Sequence, residues 1–128
     1  MKQLEQAMLL FDKGSQDAAL VDEVLESTAI GDESVGFHCQ QAAEKFLKAL
    51  LSAAGVTFQR THNLRQLMDL LSDAGQRLPP ELEDLDTLTP FGTTFRYDML
   101  PMAHDFDRKR AREMVRRLQS WTRERIGK

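Results

Sequence analysis

Apolar residues recur along this chain with the three- and four-residue spacing of helices, and nowhere with the two-residue alternation of strands. From Lys2 to Ser27, Leu4, Met8, Phe11, Ala18, Val21 and Leu25 form one stripe. Gly14-Ser15 interrupts it, but the stripe resumes in phase, which predicts one helix. A connection follows at Ala29–Glu33, with Asp32 or Ser34 as the expected cap of the next helix. That helix spans Ser34 to Ala54. Val35, Cys39, Ala42, Phe46, Ala49 and Ala53 recur at intervals of 4, 3, 4, 3 and 4, beside a second stripe of Ala43, Leu47, Leu50 and Ala54. Two adjacent stripes predict a central helix with several neighbours. Glu44 and Lys48 form an i,i+4 pair expected on its outer side, and Gly55 is its expected terminator.

Asn63 is the predicted cap of a third helix, with Gln66 completing a capping box and Leu64, Leu67, Met68, Leu71 and Ala74 facing inward up to Gly75. Pro79-Pro80 opens a short fourth helix carrying Leu82, Leu85 and Leu88, expected to stop before Pro90. Phe91 to His104 has no clean period and reads as a loop with a possible turn. Asp105, a further cap, begins a last helix to Ile126 with Ala111, Met114, Val115, Leu118 and Trp121 inward and arginines outward. The predicted fold is all-α: an antiparallel, up-and-down bundle of four to five helices forming one domain over residues 1–128.

Composition narrows the class. At 41% apolar and 29% charged the chain has the balance of a globular protein, and no apolar run approaches the roughly 20 residues of a membrane span. Met1–Gln6 leads into a mixed polar pattern unlike a signal peptide, so a cytoplasmic location is expected. Cys39 is the only cysteine, which excludes an internal disulfide and a cysteine-based zinc site. The three histidines share no i,i+3 or i,i+4 spacing, so no metal is expected; no glycine-rich phosphate loop occurs, and no cofactor is expected. The net charge of −3 is unevenly spread. Residues 108–128 carry nine Lys/Arg against Glu113 and Glu124, a local +7, whereas residues 1–107 carry −10. Such a basic helix either neutralises its own acidic bundle or attracts phosphates or an acidic partner.

Three motifs then stand out in order. The second helix reads Phe37-His38-Cys39-Gln40-Gln41-Ala42-Ala43-Glu44-Lys45-Phe46-Leu47-Lys48-Ala49-Leu50-Leu51, followed by Thr61-His62-Asn63-Leu64 and by Arg96-Tyr97. Together they resemble the HEPN family: its Gln-Ala-x-Glu-Lys-x-Leu-Lys-x-Leu run, its Thr-His-x-Leu lead into the third helix, and its Arg-Tyr pair, here followed by Asp98 where proline is frequent. The resemblance implies a bundle of about five helices, frequent homodimers, and pairing with a small nucleotidyltransferase. Some members are ribonuclease toxins; others are nucleotide- or substrate-binding partners. Nuclease-active members carry an arginine and a following histidine with four to six residues between them. Here seven residues, Pro101 among them, separate Arg96 from His104, so the motif departs from its usual form.

The candidate ligand-binding residues are Arg96, Tyr97, His62, Lys45, Lys48, Gln41 and His38, and the catalytic candidates are Arg96, His104 and His62. A guanidinium at Arg96 suits a phosphate or a carboxylate such as Glu44, and Tyr97 can pack its ring locally. Lys45, Lys48 and Gln41 share one side of the second helix, with His38 a turn before. They are either a solvated face or a phosphate-sized pocket. His62 either contacts a phosphate at a helix start or locks the loop across the bundle. Cys39 is expected to be a buried hydrophobe. Three readings follow: a nucleotide- or RNA-associated regulatory module with a nucleotidyltransferase partner, a metal-independent ribonuclease toxin, or a structural adaptor docking through the basic last helix.

Overall fold

The structure, a computed structural model, describes residues 2–93 and 106–127. These residues form α1 (Lys2–Val24), α2 (Asp32–Ala53), α3 (Leu64–Asp73), a 3₁₀ helix (Pro80–Leu88), α4 (Thr89–Thr93) and α5 (Arg108–Ile126), with no strand among them. They share one core, and the fold is an all-α bundle.

α2 touches every other element. Its two apolar stripes give it buried positions on nearly all sides, including Val35, Cys39, Ala42, Ala43, Phe46, Leu47, Ala49 and Leu50. Ala53 and Ala54, expected to continue the stripes, are exposed because the final turn extends past the core. Gly55 follows in the left-handed conformation at φ 73°, where a side chain would be strained.

α1 lies antiparallel to α2, as contacts near both ends establish. Gln3 approaches Gly55, Phe11 packs on Phe46, and Asp17 reaches Lys45 and His38. Gly14 is buried in this seam. A Cβ there would lie 3.0 Å from Cε1 of Phe46 and 3.2 Å from Cβ of Lys45. The interruption in the apolar pattern is therefore a close-approach point inside one continuous helix. Leu4, at the start of the stripe, is 38% exposed.

α5 is antiparallel to α1: Gln119 donates to Ser15, Arg112 and Arg116 reach Asp22, and Arg108 meets the end of α1. Its inward residues Ala111, Met114, Val115 and Leu118 are buried as expected. The cap is Asp107, whose carboxylate accepts from the amide of Arg110 at 3.0 Å. Asp105, the expected cap, lies outside the described residues.

Arg108 is the main joint the sequence pattern did not reveal. Its Nη1 donates to the carbonyls of Leu25 and Ser27 at 3.1 and 3.2 Å, and Nη2 to that of Ile30 at 3.0 Å. Its Nε lies 2.9 Å from Asp32 Oδ1. A cation thus satisfies carbonyls at and beyond the C-terminus of α1, where the helix dipole favours it. Asp32 is consequently an ion-pair partner and the first residue of α2; the capping position is Gly31, without a side-chain bond.

Two departures concern the fourth segment. Leu82, Leu85 and Leu88 are all buried, and their strict three-residue spacing matches the three residues per turn of the 3₁₀ helix that carries them. The chain then continues through Pro90 as α4. Pro90 is tolerated there because amides in the first turn have no intrahelical partner to lose. Phe91, Gly92 and Thr93, expected in a loop, belong to α4, and the remainder of that expected loop lies outside the described residues. Phe106, just ahead of α5, packs on Phe91 at 4.8 Å between ring centroids.

Candidate functional site

Glu44, in the middle of α2, is the one carboxylate buried among the described residues. Sequence spacing placed it outward, paired with Lys48. The pair exists, with Lys48 Nζ 2.9 Å from Oε2, but Glu44 is only 6% exposed. It turns toward the start of α3. Its Oε1 accepts from Gln40 Nε2 at 3.0 Å and faces His62 Nδ1 at 2.8 Å. Burial pushes the Glu44 carboxyl up, yet the bonds from Lys48, His62 and Gln40 outweigh it and hold the group below the usual carboxylate range. Glu44 is therefore ionised at neutral pH.

An ionised carboxylate only accepts, so the proton of a neutral His62 resides on Nδ1. The imidazole is 53% exposed, and Nε2 has no hydrogen-bond partner among the described residues. The backbone of His62 is held as well: its carbonyl accepts from Gln40 Nε2 at 2.9 Å. Gln40 is fully buried, and its Oε1 accepts from Gln41 Nε2 at 2.7 Å. Both hydrogens of its amide and its oxygen are thus committed.

The turn around His62 is fixed from the other side. Asn63 caps α3 by accepting from the amide of Gln66 at 3.2 Å. The expected capping box is only half formed, because the Gln66 side chain accepts from Thr61 Oγ1 at 2.8 Å instead. Thr61 Oγ1 in turn accepts from the amide of Asn63 at 3.1 Å. The amide of Leu64 donates to Thr89 Oγ1 at 3.2 Å, tying the start of α3 to α4. Gly92 on α4 sits against the buried amide: a Cβ there would fall 2.2 Å from Cδ of Gln40.

The other candidates divide between two clusters. Lys45 Nζ lies 2.6 Å from Asp17 Oδ2, and His38 Nδ1 lies 3.1 Å from Asp17 Oδ1, so both turn toward α1. Lys48 and Gln41 belong with Glu44 and His62. The two lysines face different carboxylates, and neither is an uncompensated cation. Arg96, Tyr97 and His104 lie outside the described residues. Glu44 as a hub, Gln40 and Asp17 were not singled out as site residues from the pattern. The available signal was that positions 40 and 44 adjoin the stripe at 43, 47 and 50 on a helix with little room for a polar face.

Cys39 is fully buried, and burial pushes its thiol up to about 12, outweighing the opposing influence of Arg108. It is an inert core group. The basic helix is largely answered from within: Arg112 and Arg116 pair with Asp22, Arg110 with Asp84, and Arg117 with Glu81. Arg125 lies over the Trp121 ring, 3.8 Å from its centroid. No described helix is long and apolar enough to cross a membrane.

A family model described as HEPN domain matches residues 7–124 of the 128-residue chain. The chain belongs to the HEPN family. No curated protein and no solved structure matches it. Membership places the chain among nucleotide- and RNA-related helical modules. The HEPN match spans α2, the Thr61–Leu64 turn and most of α5, and so includes the described partners of the Glu44–His62 pair.

Proposed function

We propose that this HEPN chain is a nucleotide- or RNA-associated binding and regulatory module that acts as a homodimer with a minimal nucleotidyltransferase. His62 is its principal contact to the ligand's phosphate or ribose. The observation that carries this reading is the arrangement of Glu44 and His62. A buried anion fixes the ring and its tautomer, and the second nitrogen faces outward at the start of α3. Such an Nε2 accepts from a ribose hydroxyl when neutral and donates to a phosphate when protonated. Arg96 and Tyr97 are the expected further contacts. Calorimetric titration of the purified chain with AMP, GMP and a short single-stranded RNA tests it. Micromolar-to-millimolar binding that weakens with salt and is lost in His62→Ala supports the reading. Absence of heat with all three at low salt contradicts it.

The same arrangement favours one second reading. A histidine oriented by a carboxylate is the geometry of a general base, as a ribonuclease requires. In that case Arg96 supplies the phosphate contact, and dimerisation joins two such pairs in one cleft. Expression in a bacterial host decides this: growth arrest relieved by Arg96→Ala and by His62→Ala supports it, and normal growth with intact RNA removes it. The adaptor reading draws little support, since the arginines through which α5 would dock already face carboxylates of the same chain.

A further inference from the structure

Beside the Glu44–His62 pair runs a groove of about 460 Å³ between the α2–α3 connection and the outer face of α3. Phe58 and Thr61 form one wall, and Gln66, Asp69, Leu70 and Asp73 form the other. We propose that this groove holds the nucleobase of the nucleotide whose ribose or phosphate meets His62, and that guanine fits it best. The inference rests on the nucleotide reading above and adds the identity of the base.

Continuity with the site comes from two residues. Thr61 lines the groove and immediately precedes His62. Lys48 Nζ, 2.9 Å from Glu44, also lies 5.9 Å from the centroid of the Phe58 ring. A nucleotide with its ribose at His62 therefore has its base within reach of Phe58. The groove's chemistry then selects which part of the ligand enters. None of its described lining residues is a lysine or arginine, and two are aspartates, so a phosphate is repelled from it. Phe58 and Leu70 offer apolar and aromatic surface for a planar ring. Asp69 and Asp73 stand one helical turn apart and accept hydrogen bonds only. Asp69 is engaged by Arg65 merely at 3.7 Å between exposed groups, which leaves it available to a ligand. The adjacent N1–H and exocyclic amine of guanine present two donors to one carboxylate, a paired geometry that uracil, with a single N3–H, does not offer.

The test is an NMR titration of the full isotope-labelled chain with GMP, UMP and ribose 5-phosphate. The expected result is that GMP shifts resonances of Phe58, Thr61 and Leu70 together with His62, and binds about tenfold tighter than UMP or ribose 5-phosphate. Phe58→Leu, which keeps apolar volume but removes the stacking face, should lose most of the GMP advantage. Asp69→Ala with Asp73→Ala should abolish the preference for GMP over UMP. Nucleotides that shift His62 alone, with equal affinities for all three ligands, overturn the groove assignment and leave the binding reading intact. Failure of every ligand to bind overturns both.

Discussion

Oε1 of Glu44 and Nδ1 of His62, 18 positions apart in the chain, meet at 2.8 Å across the junction of α2 and α3. The contact makes a buried acid the support of a half-exposed base. It separates two roles that a sequence motif shows only as letters: Glu44 organises, and His62 faces the solvent.

That division sets the expected response to substitution. Glu44→Gln keeps the shape but leaves Lys48, with 13% of its side chain exposed, beside a neutral amide. Urea denaturation should show a loss of about 2–4 kcal/mol, the range for breaking one side of a mostly buried charged pair. His62→Ala removes a half-exposed ring and should cost about 1 kcal/mol or less. The same variant should remove nucleotide binding, so the two effects separate in opposite directions.

Acid should expose the same dependence. The folded Glu44 carboxyl sits below its unfolded value near 4.3, so between the two values the unfolded chain binds more protons than the native one, and stability rises with pH there. The contribution is fully present above the unfolded value and disappears as pH falls through the folded one. Denaturation midpoints of the wild type should therefore converge on those of Glu44→Gln at low pH and stand at their full, constant separation above about pH 5.

The Arg108 joint makes a different demand. Arg108→Ala leaves Asp32 and several carbonyls at the α1–α2 connection without their donor, at an expected cost of about 3 kcal/mol. Arg108→Lys should recover little of it, because an ammonium cannot span the arc of acceptors that the planar guanidinium reaches. Hydrogen exchange should accelerate at residues 22–32 in both variants and leave the Glu44–His62 junction unchanged.

Gly92→Ala tests how the site is positioned. The added methyl would overlap Gln40, which holds both the carboxylate of Glu44 and the carbonyl of His62. The expected outcome is a folded protein whose His62 resonances shift and whose nucleotide affinity falls several-fold. A variant with unchanged His62 resonances would show that Gln40 does not position the ring.

Charge reversal on α5 distinguishes internal pairing from docking. Arg116→Glu sets a second acid against Asp22, whereas the Arg117–Glu81 pair is more than half exposed on both sides. Thermal denaturation should find Arg116→Glu clearly destabilised and Arg117→Glu close to wild type.

Much of this architecture was legible in the sequence, for identifiable reasons. The double stripe of α2, the Asn63 cap and the terminating Gly55 and Gly75 are local signals, and each corresponds to an element edge or face. The three-residue spacing of Leu82, Leu85 and Leu88 marks a helix without separating a 3₁₀ from an α turn, since three such positions share a face in both. Long-range polar partners were not legible. Glu44 has a good local partner in Lys48, and nothing in periodicity reveals that His62 arrives from the next connection to take the other oxygen. Arg108 likewise reads as one of many arginines until the end of α1 is placed against it. Lys45 and Lys48 share a side of the helix in projection, but Lys45 turns to Asp17 on α1 and Lys48 to Glu44 on α2 itself.

The most direct measurement is a long-range proton–nitrogen NMR spectrum of the histidine rings, recorded with and without GMP. The expected result is a His62 ring protonated at Nδ1 whose Nε2 signal moves on addition of the nucleotide, while Glu44→Gln alters the tautomer. A His62 ring protonated at Nε2, or one whose nitrogens stay unmoved as the nucleotide binds, would contradict the assignment of this pair as the ligand-contacting site.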